Sequence, residues 1–384
     1  MNVRFLLCSL LVVSCSKPGR VESFRIRSQF ADTVAFSDLL YQGVGATMRP
    51  GHTVELVENG AVFDVMAEEI GKAKVSISMV SYIWEKGFAS DRISAALISK
   101  VAVDKVACRV LVDAFGSPDW QKVLRPLSEA GCEVRVFRPL PGVDALARNH
   151  RKMLIIDGKH GVTGGFGVRD NWLGNGLKPD EWRDSNVRVS GPAVREMQQA
   201  FAANWLEAAG QPMPMREAFP PIEPRGNVVA AFVPSTGAHV GTSADRLTQL
   251  VILFAKKRLW ISNAYFVPSS AIFEQLREKA KAGVDVRLIT AGPRSDSKPS
   301  FLIQQAEYGP LRADGVKIWE YEPAMIHSKT MLIDDELVVV GSVNLDPLSL
   351  GKLEEGALVM QDRATAEKLE ALFLNDLTHC QAVE

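Results

Sequence analysis

The order of apolar segments in this chain occurs twice, and this duplication constrains the fold more than any other feature of the sequence. In the first copy, an apolar strand around Ile77 is followed by a helical stretch and then by a second strand over 108–112. In the second copy, 259–267 matches the first of these strands and 284–289 matches the second. Repeated strand–helix–strand units favour a parallel or mixed sheet with helices on its faces. We therefore predict an α/β protein of two mixed-sheet halves about a pseudo-two-fold axis.

Chain length and proline content place the boundaries of the two halves. A chain of 384 residues is longer than one compact core usually organises. After a lead-in over 16–50, we place the first half at 51–211 and the second half at 227–384. The segment 212–226 between them is rich in proline and cannot continue a helix, so we expect it to cross from one half to the other.

The first fifteen residues have the composition of an export signal. An apolar run over 5–13 follows Arg4 and is too short to span a bilayer. The run ends at Cys15, and 12–15 resembles the bacterial lipobox, in which the cysteine is lipidated and becomes the mature N-terminus. An ordinary cleaved signal peptide is the alternative. We predict a lipoprotein signal at 1–15 and a protein anchored to a membrane of the cell envelope, facing the periplasm or the outer surface.

Three of the five cysteines lie in the mature chain, at Cys108, Cys132 and Cys380. Their spacing matches no zinc ligand set. Cys108 and Cys132 lie in neighbouring strand-like stretches, so that a disulfide in the cell envelope is conceivable. The sequence alone favours buried, unpaired thiols.

Each half contains one His-x-Lys-x4-Asp motif, and the two motifs consist of His150, Lys152 and Asp157, and of His327, Lys329 and Asp334. Side chains two residues apart on a strand share a face, so each histidine and its lysine point towards one substrate. The aspartates end the apolar runs that follow, and we interpret them as structural anchors rather than chemical actors. Two matched motifs at the interface of two halves predict a single site with two histidines.

Two histidines and two lysines suit the cleavage of a phosphodiester. This substrate is an anion with a poor alkoxide leaving group, so charge neutralisation and a proton donor are both required. One histidine would attack phosphorus and the other would protonate the leaving oxygen, while the lysines hold the non-bridging oxygens. This scheme needs no metal or other cofactor. The symmetry of the site leaves open which histidine attacks.

The paired motifs resemble those of the phospholipase D superfamily, and nearly the whole mature sequence resembles its bacterial cardiolipin synthase branch. Segments 58–60, 182–184, 264–268, 341–346 and 349–350 also carry the resemblance. It implies a duplicated phospholipase D-like fold and a covalent phosphohistidine intermediate. It further implies the following roles: His150 as nucleophile, His327 as general acid, Lys152, Lys329, Asn344 and Ser342 as phosphate contacts, and Asp184 and Glu355 as carboxylates that orient the imidazoles.

The sequence departs from this pattern at two positions. Gly167 stands where the family has asparagine two residues after the first Gly-Gly pair, and Leu353 stands where it often has asparagine before the second-half glutamate. The first-half phosphate pocket is therefore expected to lack one donor. Because both histidines and both lysines are present, we do not interpret the chain as inactive.

Other residues near the motifs have less specific interpretations. Trp172 and Trp182 bracket a loop beside the first motif, where they would either cover acyl chains or pack ordinarily. Arg294, Asp296 and Lys298 form a polar loop that is expected to be a solvated turn, with contact to a lipid headgroup as the alternative. The remaining histidines have no matched partner and are expected at the surface: His52, His160, His239 and His379.

We expect transfer of a phosphatidyl group from phosphatidylglycerol to a second glycerol-bearing lipid, which gives cardiolipin. The alternatives are hydrolysis to phosphatidic acid by the same residues, an envelope nuclease, and a non-catalytic binding protein of the same fold. A net charge of −1 and the lack of a basic stripe count against a dedicated nucleic-acid partner. The expected partners are a phospholipid and the membrane surface, and the oligomeric state is left open.

Overall fold

The computed structural model describes residues 24–27, 34–139, 145–238 and 240–384. The signal segment with Cys15, together with His239, lies outside the described residues. Within the described ranges, no helix combines the length and the apolar character needed to cross a membrane.

The first half alternates strands and helices in the predicted order. Among the described residues its strands are β1 (Arg49–Glu58), β2 (Ser76–Ser81), β3 (Ala107–Asp113), β4 (Glu133–Phe137), β5 (Met153–Ile156), β6 (His160–Gly164), β7 (Trp182–Arg183) and β8 (Ser185–Ser190). Its helices, with the lead-in helix first, are α1 (Phe36–Val44), α2 (Ala61–Lys72), α3 (Phe88–Asp104), α4 (Trp120–Val123), α5 (Arg125–Glu129) and α6 (Val194–Ala209), and a 3-10 turn covers Asp170–Trp172. The proline-rich segment that follows contains the short helix α7 (Met215–Ala218).

The second half repeats this arrangement. Its strands are β9 (Val228–Ser235), β10 (Arg258–Asn263), β11 (Asp285–Ala291), β12 (Lys317–Tyr321), β13 (Met325–Ile326), β14 (Lys329–Ile333), β15 (Leu337–Gly341), β16 (Glu355–Gln361) and β17 (Cys380–Ala382). Its helices are α8 (Ser243–Phe254), α9 (Ser270–Lys281), α10 (Lys298–Ala313), α11 (Pro347–Gly351) and α12 (Arg363–Leu377).

The two half-sheets join into one mixed sheet of 15 described strands, in the order β17-β12-β11-β10-β14-β15-β16-β9-β1-β8-β6-β5-β2-β3-β4. The halves meet where β1 pairs with β9, and the strand order leading outward from this contact is the same on both sides. Thus β2 lies between β5 and β3 in one half, as β10 lies between β14 and β11 in the other. The predicted duplicated α/β fold is confirmed.

The halves also pack against each other away from the shared strand pair. Strands β6 and β8 contact β15 and β16 of the other half, and apolar side chains such as Val187 and Leu358 belong to one continuous core. Each long C-terminal helix crosses over, because α6 contacts β9 and α12 contacts β1. This packing brings the regions that precede β5 and β14 to a common interface.

One histidine predicted at the surface is buried at this junction. The ring of His52 contacts the Val228 carbonyl oxygen at 3.1 Å through Nδ1, and its Nε2 accepts the Ala193 backbone N–H at 2.8 Å. Burial lowers the pKa of His52. The surface expectation was wrong here because the β1–β9 contact that encloses the ring joins the two halves, and local sequence does not reveal it.

Cys108 and Cys132 form a disulfide, which corrects the expectation of unpaired thiols. Parallel pairing of β3 with β4 places Arg109 opposite Glu133, so the residues immediately before them lie side by side. Their Cα atoms are 4.7 Å apart, within the range that a disulfide spans. The local pattern identified both strands but not their register.

Removing this disulfide is expected to destabilise the first half. The bridge closes a loop over a sequence separation of 24 residues, for which the chain-entropy relation gives about 3 kcal/mol. The Cys108→Ala, Cys132→Ala double variant should lose about this much unfolding free energy in urea titration. Cys380→Ala is the control, because that thiol is free in the structure. Equal stability of the oxidised protein and the double variant would contradict the prediction.

Candidate active site

The structure brings His150, Lys152, His327 and Lys329 together, and all four side chains are buried. His150 and Lys152 immediately precede β5, while His327 precedes β14 and Lys329 is its first residue. Each lysine Nζ donates to the backbone carbonyl of its own histidine, at 2.5 Å in the first half and 2.6 Å in the second. This bond fixes each lysine beside its imidazole, as the shared strand face predicts.

The two halves exchange the carboxylates that orient the imidazoles. His150 Nδ1 lies 2.8 Å from Glu355 of the second half, and His327 Nδ1 lies 3.1 Å from Asp184 of the first half. The sequence places each carboxylate downstream of the histidine in its own half, whereas the structure pairs it with the histidine of the other. Because an ionised carboxylate only accepts hydrogen bonds, Nδ1 is the donor in each pair. The Nε2 atoms then carry the reactive lone pairs.

Backbone contacts hold this crossed arrangement in place. The His327 N–H donates to the Arg183 carbonyl at 2.6 Å, and the His150 N–H donates to the Glu354 carbonyl at 2.9 Å. Strands β7 and β13 form a small parallel pair around the first of these contacts. In both places the residue before a carboxylate binds the backbone of the opposite histidine, so imidazole and carboxylate are aligned by the same strand-to-strand contact.

Burial determines the ionisation of the site. It lowers the pKa of His150 to about 4, with Glu355 acting in the opposite direction. Burial, followed by repulsion from Lys329 and Lys152, lowers the pKa of His327 well below its ordinary value. Both imidazoles are therefore neutral near pH 7. Burial also lowers the pKa of Lys329 to about 8, and this lysine remains charged at neutral pH.

The carboxylates have different supporting groups. Glu355 accepts from Ser349 Oγ at 2.5 Å and also from the hydroxyl of Ser342. Asp184 accepts from Trp172 Nε1 at 2.7 Å, and burial raises its pKa to about 6. Ser342, which was predicted to contact phosphate, thus donates a hydrogen bond to Glu355 in this structure. Sequence reasoning assigned neither Ser349 nor Trp172 the role of a donor to a carboxylate, although both lie at the same distance along the chain from their motif histidines.

Trp172 also explains the departure at Gly167. A Cβ atom at this position would lie 2.9 Å from the Trp172 ring, so an asparagine has no room. In the second half the corresponding place is held by Asn344, whose Oδ1 is buried and has no hydrogen-bond partner among the described residues. The surroundings of the two motifs therefore differ at this position. Nothing in the structure explains Leu353.

Indole rings enclose His327. The ring centroids of Trp172 and Trp182 lie 5.1 Å and 5.0 Å from the His327 ring, and both indoles are buried. Of the two interpretations offered by the sequence, packing fits, because the rings form the wall of the imidazole pocket. On the opposite side, Tyr82 contacts the His150 ring at 5.0 Å.

Asp157 and Asp334 lie at the far ends of β5 and β14, away from the histidines. Asp157 accepts the backbone N–H groups of residues 74–76, and Asp334 accepts those of residues 256–258. Each aspartate thus ties the end of its motif strand to the start of the neighbouring strand. Their position supports the role of structural anchors.

A buried polar network lies behind the first motif. Arg151 donates to Asn204 Oδ1 at 2.6 Å, to Glu354 Oε2 at 2.7 Å, and to the carbonyls of Ser235 and Glu355 at 2.7 Å and 2.9 Å. Three of these acceptors belong to the second half. Arg151 therefore fastens the β5 region to the strand that carries Glu355. No pattern in the sequence singles out this middle residue of the motif.

The fold and the crossed histidine site define a phospholipase D-like protein. The family described as "Cardiolipin synthase, PLD-like domain" matches residues 66–205 and 251–377. These segments cover more than half of the chain, which therefore belongs to this cardiolipin synthase-like family of the phospholipase D superfamily. The resemblance stated from the motifs is confirmed.

Similar proteins extend the match over most of the chain. Cardiolipin synthase 1 of Bacillus anthracis is 32% identical over 346 residues, covering 86% of this chain and 68% of the relative. The major cardiolipin synthase of Bacillus subtilis is 31% identical over 363 residues, covering 91% and 75%. Among solved structures, phosphatidylserine synthase of Haemophilus influenzae has a TM-score of 0.69 at 14% identity, covering 91% of this chain and 92% of that one. The structural match shows the common fold.

The pKa of Lys329 predicts an alkaline limit to activity. This lysine is charged below about pH 8 and neutral above it, so kcat/KM should fall as pH rises through this value. Arginine remains charged throughout, and Lys329→Arg should move the limit to higher pH even if turnover is slower. The measurement is the pH profile of kcat/KM for both proteins. An unchanged alkaline limb in the variant would assign the limb to another group.

Proposed function

We propose that this protein is a phosphatidyltransferase that converts phosphatidylglycerol to cardiolipin. The observation that carries the proposal is the crossed pair of buried imidazoles, each aligned by a carboxylate of the other half and each beside a lysine. Two imidazoles whose Nδ1 atoms are held by carboxylates, together with two lysines, supply the groups that phosphodiester exchange requires. The relatives named cardiolipin synthases supply the substrate class.

In the first step, the lone pair on His150 Nε2 attacks phosphorus, and the bond from phosphorus to the headgroup glycerol oxygen breaks. His327 Nε2 gives a proton to that oxygen, so free glycerol leaves and a phosphatidyl group remains on His150. The low pKa of His150 keeps this lone pair available at neutral pH, and the choice of His150 as nucleophile follows the family resemblance. Lys152 and Lys329 hold the non-bridging oxygens, with Asn344 as the further donor.

His327 must be protonated to act as the acid, and binding of the anionic substrate favours this protonation. Repulsion from Lys152 and Lys329 contributes to the low pKa of His327. A phosphodiester anion bound between these cations offsets the repulsion and raises the pKa of the imidazole. Protonation of His327 is thereby coupled to substrate binding.

In the second step, a hydroxyl of another phosphatidylglycerol gives its proton to the now neutral His327. Its oxygen attacks phosphorus, the bond from phosphorus to His150 Nε2 breaks, and the electron pair returns to the imidazole. Cardiolipin is released and the enzyme regains its starting state. Water in place of the lipid hydroxyl would give phosphatidic acid instead.

The test is lipid mass spectrometry of purified protein with phosphatidylglycerol vesicles, with the His150→Ala, His327→Ala double variant as the blank. Cardiolipin formed by the wild type and absent from the blank is the expected result. Phosphatidic acid as the only product would replace the proposal by hydrolysis. No lipid turnover, combined with cleavage of a nucleic acid, would favour the nuclease.

We also propose that the protein is held at an envelope membrane through a lipid on Cys15. The lipobox-like segment motivates this, and the disulfide between Cys108 and Cys132 fits an oxidising compartment. Expressed with radiolabelled palmitate, the wild type and a Cys8→Ala control should incorporate label and sediment with membranes. Cys15→Ala should do neither. Label retained in Cys15→Ala would contradict the anchor.

A further inference from the structure

A polar pair lies next to His327 that the mechanism above does not use. The Tyr265 hydroxyl donates to Asp296 Oδ1 at 2.7 Å, and the Tyr265 ring lies 6.4 Å from the His327 ring at an angle of 85°. Asp296 was expected to lie in a solvated turn, and its side chain does reach solvent. The protein surrounding it nevertheless raises its pKa by burial, with Lys329 opposing the rise. Asp296 is thus open to solvent and at the same time bonded to a tyrosine that lies beside the His327 ring.

The position of Tyr265 is not conserved between the two halves. Ile77 of β2 pairs with Ile156, and Leu259 of β10 pairs with Ile333, the equivalent residue of the other motif strand. Ile77 and Leu259 are therefore equivalent. Six residues further along each chain segment, Ile83 is the counterpart of Tyr265. The bridges that follow, from Trp84 to Val168 and from Phe266 to Leu345, continue the same register. The two sides of the site therefore differ at this one position, which is Ile83 in the first half and Tyr265 in the second, while Tyr82, one residue earlier, contacts the His150 ring.

The second chemical step needs an alcohol beside His327, because this imidazole takes the proton of the attacking hydroxyl. Glycerol headgroups carry more than one hydroxyl, and a carboxylate accepts hydrogen bonds from them while a phenol both donates and accepts. Lys329 lies on the same side, and its charge interacts with that of Asp296. The site thus offers two polyol contacts next to the base that activates the acceptor.

We infer that Tyr265 and Asp296 form the acceptor subsite, which binds the hydroxyls of a polyol headgroup and favours their attack over that of water. This inference rests on the proposed transfer reaction. Both residues determine specificity and take no part in cleaving the donor. Their removal changes which nucleophile resolves the covalent intermediate and leaves its formation largely unaffected.

The experiment measures how one intermediate partitions among three acceptors. Phosphatidylglycerol vesicles are incubated with deuterated glycerol or with ethanol, and mass spectrometry quantifies labelled phosphatidylglycerol, phosphatidylethanol and phosphatidic acid. Asp296→Asn should lower the ratio of glycerol transfer to hydrolysis about tenfold or more, the effect of losing a hydrogen bond to a charged group. Tyr265→Phe should act in the same direction. The ethanol ratio should change less than about twofold, because ethanol has no second hydroxyl to bind.

Asp335→Asn is the matched control, since this exposed carboxylate pairs with Lys257 just beyond the far end of β14. A glycerol ratio that stays at the wild-type value in Asp296→Asn would overturn the inference. An equal fall for glycerol and ethanol would also overturn it, because that pattern indicates a general disturbance of the site. If the wild type forms neither labelled phosphatidylglycerol nor cardiolipin, the proposed transfer function itself has failed.

Discussion

Replacing His150 by alanine is expected to lower phospholipid turnover by about 10⁴-fold or more, the scale of losing a catalytic nucleophile. His327→Ala should be similarly inactive on the natural lipid, because its alkoxide leaving group requires a proton. The two variants should differ on a p-nitrophenyl phosphodiester, whose leaving group needs no acid. We expect His327→Ala to release a stoichiometric burst of p-nitrophenolate and His150→Ala to release none.

Mass spectrometry of the His327→Ala protein after the burst should locate the adduct on the peptide that contains His150. His379→Ala serves as the control, because this histidine lies outside the site and should keep both activities. A burst from His150→Ala and none from His327→Ala would reverse the assignment of nucleophile and acid. The structure makes this comparison informative because both imidazoles are buried and each has its own carboxylate.

The largest expected effect on stability comes from Arg151. Arg151→Met removes the guanidinium that lies 2.7 Å from the buried Glu354 carboxylate and leaves only the longer contact to Arg138 at 3.6 Å, and breaking a buried pair in this way costs about 3–5 kcal/mol. Urea titration followed by circular dichroism measures the loss. Arg125→Met is the control, since its ion pair with Glu129 is exposed and should contribute about 1 kcal/mol or less.

A second substitution separates the charge effect from the loss of packing. In the Arg151→Met, Glu354→Leu variant both members of the pair are apolar, and much of the lost stability should return. Activity should not return with it, because the carbonyls of Ser235 and Glu355 still lack their donor. A cost below about 1 kcal/mol for Arg151→Met alone would show that this network does not hold the halves together.

The sequence predicted the duplicated fold and the meeting of both motif histidines and both motif lysines at one interface, and the structure places these four residues together. These features follow from local patterns, namely repeated apolar strands and spacings of two residues within a strand. It did not predict which carboxylate meets which histidine. Asp184 lies only 34 positions after His150, yet it contacts His327. Proximity along the chain suggested that each histidine pairs with the carboxylate of its own half. The structure pairs it with the carboxylate of the other half, because the imidazole–carboxylate contact is made across the interface.

The remaining errors have the same physical origin. The disulfide depends on the register of β3 against β4, and the burial of His52 depends on the pairing of β1 with β9. The supporting groups of the carboxylates, Ser349 and Trp172, differ in chemistry and so conceal their equivalence. In each case the deciding contact is tertiary, and spacing along the chain carries no information about it.

The exchange of carboxylates also makes the two halves dependent on each other. A half produced alone would contain an imidazole without its carboxylate and a carboxylate without its imidazole. A chain divided within 212–226 should therefore regain function only when both fragments are present, as in genetic complementation. Because each half depends on the other, the two carboxylates need not be interchangeable. Asp184 accepts a hydrogen bond from a tryptophan, whereas Glu355 accepts one from a serine. The duplicated fold thus contains two halves with different roles in one site.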